Sequence, residues 1–196
     1  MLFIMPLVAL PIIATGYVIK ERGKEAILEE KRTHLQGITV LLEHHLHEQG
    51  GFTGLLAGYA GAPNDKKAKL DYLSKQLNAY TNGIAAAFQD VGVGYFSREF
   101  DAIVTYGPSD QLGHTVGMTI PAEHPGWHIM AENRPMTVSG RQVRGLIMNA
   151  MRPVLQGDKV VGYVWANEML DAIDAQAAAI NAAVYTLTLC GLLLSM

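Results

Sequence analysis

Apolar and polar positions divide the chain into two uncharged ends and a polar middle. Residues 1–19 and 175–196 contain no Asp, Glu, Lys or Arg; every charged side chain lies between Lys20 and Asp174. Each end is close to the roughly 20 helical residues that cross a bilayer core. The first run, MLFIMPLVALPIIATGYVI, is rich in Leu, Ile and Val, and Pro6 and Pro11 are tolerated in membrane helices. A cleaved signal peptide would need a basic start and a small-residue cleavage site. No Lys or Arg precedes the run, and a helical pattern follows it directly. A buried core helix is the third alternative. The second run is Ala-rich at first and strongly apolar from Val184. It reads as the start of a second membrane helix, cut short at Met196.

Between the ends the periodicity changes once. From Lys20 to Glu48, Ile27, Leu28, Leu35, Ile38, Leu41, Leu42 and Leu46 recur at helical spacings, which predicts one long amphipathic helix. Its heptad-like spacing predicts pairing with a second copy, Leu35 and Leu42 facing inward. Gln49-Gly50-Gly51 ends it. Residues 52–64 read as loop with a helical turn. Asp65 caps a helix striped by Leu70, Leu73, Leu77 and Tyr80, and a short second helix is expected over 84–88. Period 2 then takes over. Residues 91–97 and 101–107 form a hairpin, and His124-Pro125-Gly126 opens a short helix to about Asn133. Residues 136–140, 143–155 and 159–168 are three more strands, with Gln156-Gly157-Asp158 as the tight turn between the last two. An exit helix starts at Leu170.

The predicted class is α+β: a five-stranded antiparallel sheet in a meander, with helices on one side and a long N-terminal helix. The expected domains are a transmembrane helix over 1–19, a middle domain over 20–174 and a second membrane helix beginning at 175–196. The middle domain comprises the long helix 20–48 and a sheet domain 52–168.

Charge and cysteine content narrow the function. Lys+Arg is 15 and Asp+Glu is 18, a net charge of −3, which argues against a nucleic-acid partner. The single cysteine, Cys190, excludes an internal disulfide framework and a Cys-based zinc site. Lys20, Arg22 and Lys24 follow the first span, where the positive-inside rule opposes an external middle domain. An enzyme is disfavoured: no serine lies in G-x-S-x-G, and neither a P-loop nor G-x-G-x-x-G is present. No cofactor is expected.

Candidate sites come from spacing. His44, His47 and Glu48 share one helix face, an acceptable spacing for metal ligands that lacks the glutamate base of HExxH; a polar helix face is the bland alternative. Tyr95, Arg98, Asp101 and Tyr106 crowd the first hairpin. Both tyrosines are candidates for a pocket wall and Arg98 for its rim, unless Arg98 merely pairs with Asp101. In the strand 144–154, alternation puts Asn149 and Met151 on one face and Arg144 and Arg152 on the other. Tyr163, Trp165 and Asn167 alternate on one face of the next strand. His124 sits at a helix start and Trp127 within its first turn. A pocket is therefore expected between the sheet and the segment 108–133, lined by Tyr95, Tyr106, His124, Trp127, Asn149, Met151, Tyr163 and Trp165, with Arg98, Arg144 or Arg152 available for an anion.

Four strings in order carry a resemblance: GYFSREFDAIVTYGPS (94–109), HPGWHIM (124–130), VRGLIMNAMRPV (143–154) and VVGYVWANE (160–168). The chain resembles the single Cache, or PDC, sensor domains of bacterial two-component histidine kinases, which have a PAS-like fold. The resemblance covers about residues 20–180 and both flanking helices. It implies a ligand-sensing input domain that binds a small molecule, lies outside the cytoplasm of a bacterial cell, is anchored in the membrane, and passes a helix shift across it. It implies no catalytic activity in this chain, any kinase activity lying in another part of the parent protein. A homodimer through the long helix is expected. The alternatives are a non-catalytic scaffold or partner-binding domain, or the input domain of a chemoreceptor or diguanylate cyclase. The citrate and C4-dicarboxylate sensors share the fold but not these strings. Their basic residue in the penultimate strand falls near Asn149 here, which weighs against a carboxylate ligand.

Overall fold

The computed structural model describes residues 4–194, with side chains described for residues 22–180 and for 182, 183, 185 and 186. The expected membrane-crossing stretch 1–19 therefore falls outside the described side chains, as do 12 of the 22 residues of 175–196. Among the described residues no helix is long and apolar enough to cross a membrane.

The chain divides into two compact units, residues 1–31 with 171–196 and residues 32–170. The first holds the N-terminal part of helix α1 (Ile4–Glu48) and nearly all of α6 (Leu170–Leu194). Within it Lys24 pairs with Asp174 at 3.0 Å, and Ile27, Ile173 and Ala177 are buried.

The second unit carries the sheet. After α1 come α2 (Gly51–Leu56) and α3 (Lys66–Ala87), then strands β1 (Val91–Ser97) and β2 (Ala102–Gly107). The turn α4 (Ser109–Leu112) and α5 (Pro125–Glu132) precede β3 (Met136–Gln142), β4 (Gly145–Gln156) and β5 (Lys159–Met169). Asp65 caps α3 through Ala68 N, as expected. Two expectations are corrected. The residues 84–88 belong largely to α3 and form no second helix. The sheet is antiparallel but not a meander: its order is β2-β1-β5-β4-β3, with β5 inserted between β1 and β4. A last strand beside the first is what lets the hairpin β1–β2 stay local while β4–β5 closes through Gly157, whose φ of +59° suits a turn glycine.

Helices do not gather on one side either. The back face of the sheet meets α1 and α3. Leu35, Ile38, Leu42 and Leu46 of α1 and Leu73 and Leu77 of α3 are at most 1% exposed. The Tyr95 hydroxyl donates to the Leu42 carbonyl at 2.9 Å, and Gln36 Nε2 reaches Thr137 Oγ1 at 3.1 Å. Leu35 and Leu42 are thus core residues of one copy, and their assignment to a dimer seam is overturned: the heptad-like stripe serves the sheet. The front face is covered by α5 and the segment leading to it, around Phe96, Ile103, Tyr106, Ile120, Ile129, Met130, Met151, Tyr163 and Trp165.

Candidate functional site

Register decides which side chains share the front face. β4 and β5 pair Asn149 with Asn167, Met151 with Trp165 and Pro153 with Tyr163; β1 places Gly92, Gly94 and Phe96 opposite Asn167, Trp165 and Tyr163. The two glycines leave the face open where large side chains cross it. A Cβ on Gly92 would stand 2.8 Å from Asn167 Oδ1 and 3.0 Å from the Tyr106 ring, and one on Gly94 would collide with the Trp165 indole. Trp165 therefore lies across β1 and meets Tyr106 edge-on, centroids 5.0 Å apart.

On this face a cavity of about 20 Å³ is lined by Ile103, Tyr106, Ile120, His124, Gln142, Val143, Ile147, Asn149, Tyr163, Trp165 and Asn167. It has room for one water-sized body. His124 caps α5 by accepting from Gly126 N–H at its Nδ1, 3.0 Å away. Burial pushes its pKa down, and a hydrogen bond to the Gln142 side chain partly opposes this. Asn149 Nδ2 donates to Gln142 Oε1 at 2.6 Å, while Asn149 Oδ1, in a residue only 3% exposed, has no hydrogen-bond partner. Asn167 Nδ2 donates to the Tyr106 hydroxyl at 2.8 Å. Burial raises the Tyr106 pKa, offset in part by that bond and the nearby Arg144 charge. Burial also pushes the Tyr163 hydroxyl upward.

Five expected residues thus line one cavity: Tyr106, His124, Asn149, Tyr163 and Trp165. Met151 packs in the adjoining cluster. Trp127 lies beside it, edge-on to Phe96, with its Nε1 donating to the Pro121 carbonyl. Tyr95 is on the back face, because β1 pairs it with Thr105 and Val164 rather than with residues of the cavity face. Arg152 is there too, 3.6 Å from Glu43 of α1. Arg98 borders a separate depression with Phe52, Gln156 and Lys159, and Asp101 accepts from Thr119 rather than pairing with Arg98. Arg144 reaches the cavity wall from outside, donating from Nη1 to the Asp90 carbonyl at 2.8 Å and to Asn167 Oδ1 at 3.1 Å. His44 pairs with Glu48 at 3.2 Å on the exposed face of α1, and no group of three or more metal-ligating side chains exists among the described residues. Ile103, Ile120, Gln142, Val143, Ile147 and Asn167 are cavity residues missing from the expected lining. Asn167 was readable from its shared alternation with Trp165, whereas Gln142 and Val143 enter through the β3–β4 hairpin tip, which no motif marks.

The architecture is a long helix behind a five-stranded antiparallel sheet, with a small mixed cavity in front. Among solved structures the chain is similar to the sensor domain of the V. cholerae histidine kinase DctB. The TM-score is 0.60 at 14% identity, over 87% of this chain and 59% of that one. It is also similar to the ligand-binding domain of the Campylobacter jejuni chemoreceptor Tlp3, solved in complex with 4-methylisoleucine (TM-score 0.51, 8% identity, 82% and 60% covered). These likenesses bear on the fold.

The family described as the AtoS N-terminal domain matches residues 1–175, and the chain belongs to it. It is 35% identical over 190 residues to the signal transduction histidine-protein kinase AtoS of Escherichia coli (strain K12), across 97% of this chain. The chain spans 30% of the length of that curated relative. It corresponds to the N-terminal domain of a histidine-kinase relative.

Proposed function

We propose that the unit formed by residues 32–170 binds a small molecule in the front-face cavity, as the input stage of a membrane-bound sensor histidine kinase. The observation that carries this is the buried, unpartnered Oδ1 of Asn149, a residue that lines a cavity together with Tyr106 and Trp165. A buried amide oxygen without a partner costs about 1–3 kcal/mol, and a bound ligand group would recover it. The family membership and the kinase relative support the signalling role. In this reading residues 1–19 and 175–196 cross the bacterial cell membrane and residues 20–174 lie outside the cytoplasm. Signal passes as a small shift of α1 against α6. Pairing of two copies falls to the solvent face of α1.

The test is a thermal-shift screen of the chain in detergent micelles against a metabolite library. A ligand at 100 times its Kd should stabilise by about 2.7 kcal/mol, and Asn149→Ala should abolish the effect. A library without a hit, or a hit indifferent to Asn149→Ala, counts against the cavity. The topology is tested in intact cells. With Cys190→Ser in place, a single cysteine at exposed Lys66 should react with a membrane-impermeant maleimide; protection places the domain inside.

A further inference from the structure

Hydrogen-bond partners give the polarity of both amides in the cavity wall. A backbone N–H only donates, so the Gly126 N–H at 3.0 Å makes His124 Nδ1 an acceptor and leaves the proton of the neutral ring on Nε2. Asn149 Nδ2 donates to Gln142 Oε1 at 2.6 Å, so the end of its amide facing Gln142 is the NH2 group. What remains for the cavity is Asn149 Oδ1, an acceptor. The opposite wall follows in the same way. A guanidinium only donates, so Arg144 Nη1 at 3.1 Å identifies Asn167 Oδ1. Asn167 Nδ2 then donates to the Tyr106 hydroxyl oxygen. The hydroxyl's own hydrogen has no acceptor among the described residues.

The cavity thus presents one acceptor, Asn149 Oδ1, and one donor, the Tyr106 hydroxyl, between the apolar walls of Ile103, Ile120 and Ile147. No Lys or Arg lines it. Arg144 stands outside, its Nη1 shared among the Asp90 carbonyl, the Asn167 carbonyl and Asn167 Oδ1. A carboxylate only accepts, so it would face Asn149 Oδ1 with like polarity and lose its hydration without a cation in return. Val143 both lines the cavity and is 40% exposed, which puts the mouth at the β3–β4 hairpin tip. The volume of about 20 Å³ suits a head group, with the rest of a ligand extending toward that mouth.

Resting on the reading of this cavity as the ligand site, we infer that the buried end of the ligand is an uncharged head group that both donates and accepts, a hydroxyl or a primary amide. Acetamide and acetate form the test pair, nearly equal in shape and opposite in the property at issue. The full chain in micelles, labelled with 5-fluorotryptophan, gives two fluorine resonances because it has two tryptophans; Trp127→Phe assigns them. Acetamide should move the Trp165 resonance saturably, and acetate at equal ionic strength should leave it in place. Asn149→Ala and Tyr106→Phe should each weaken the acetamide response at least tenfold, with the Trp127 resonance reporting that the variants are folded. A response to acetate equal to or stronger than that to acetamide overturns the inference, as does an acetamide response unchanged in both variants. If neither probe acts but a library metabolite does so through Asn149, the head-group assignment fails and the ligand site stands. If nothing acts, both fail.

Discussion

The two faces of the sheet are built to different rules. The back face, against α1 and α3, is closed by interlocking aliphatic side chains; the Tyr95 hydroxyl donates to the Leu42 carbonyl and Thr81 to the Leu77 and Asn78 carbonyls, while Thr105 Oγ1 and Asn78 Oδ1 have no hydrogen-bond partner. The front face uses glycines where neighbours carry Trp and Asn, stacks Tyr163 between Phe96 and His124, and leaves an amide oxygen without a partner. A close-packed face holds one arrangement. The front face has a hollow beside its unpartnered amide oxygen. The same sheet thus joins a close-packed back to a hollowed front, and β4 and β5 contribute side chains to both by alternation.

The largest effect should come from the back. Leu42→Ala removes a fully buried side chain and should cost about 2–5 kcal/mol, read by chemical denaturation, with the acetamide response at Trp165 preserved in the folded fraction. A smaller loss, or loss of that response, would mean that the faces are not separable in this way.

Next comes Gly92→Ala on the front. Its Cβ would stand 2.8–3.0 Å from Asn167, Tyr106 and Arg144, and such overpacking costs about 1–3 kcal/mol. Less stability should be lost than in Leu42→Ala, yet ligand response should vanish, because the added methyl displaces the Tyr106–Asn167 wall. Retained binding would show that the glycine gap is not what shapes the cavity.

The comparison also explains what could be read from the residues. Asn149 and Trp165 could be placed on neighbouring strands because of the two-residue turn at Gly157-Asp158 and the side-chain period of two; that they share a face depends on a register shift at Val154/Leu155, which no motif marks. The face of Tyr95 was not legible either. It depends on the β1–β5 pairing, which joins Tyr95 to Val164, 69 residues on, and on an irregularity in the β1–β2 ladder at Tyr95/Phe96. Tyr95 and Tyr106 looked alike in the hairpin and lie on opposite faces. The stripe of α1 was correctly amphipathic, but amphipathicity does not say what covers it; Leu35 and Leu42 found the sheet of their own chain. The hairpin tip at Gln142 and Val143 joined the cavity through tertiary placement alone.

A subtler contrast is in acid. Burial lowers the pKa of His124 on the front and of His45, stacked on Tyr80, on the back. Both rings are harder to protonate folded than unfolded, so the unfolded chain binds more protons below its own pKa of about 6.5. Stability should thus be constant with respect to these groups above that pH and fall as pH drops through and below it. His124 has a second reason to resist protonation, since its Nδ1 accepts from Gly126 N–H. His124→Asn, which keeps a capping acceptor, should flatten the stability loss between pH 7.5 and 5.5 more than His45→Gln does. The opposite ranking in denaturation midpoints would place the acid-sensitive group on the back.

The smallest effect concerns the outer surface of α1, which neither face of the sheet uses. Val40 and Leu41 are each 45% exposed, beside Gly37, where an added Cβ would meet nothing within 4 Å. Leu35 and Leu42 of the same helix are inaccessible. If two copies pair through α1, the contact has to use the first set. With Cys190→Ser in place, single cysteines at Val40 or Leu41 should crosslink in membranes with little change in stability, since exposed substitutions cost within about 0.5 kcal/mol. Cysteines at Leu35 or Leu42 should not crosslink without first destabilising the domain. Crosslinking confined to the buried pair would return the stripe to the dimer and break the assignment of the back face to the sheet.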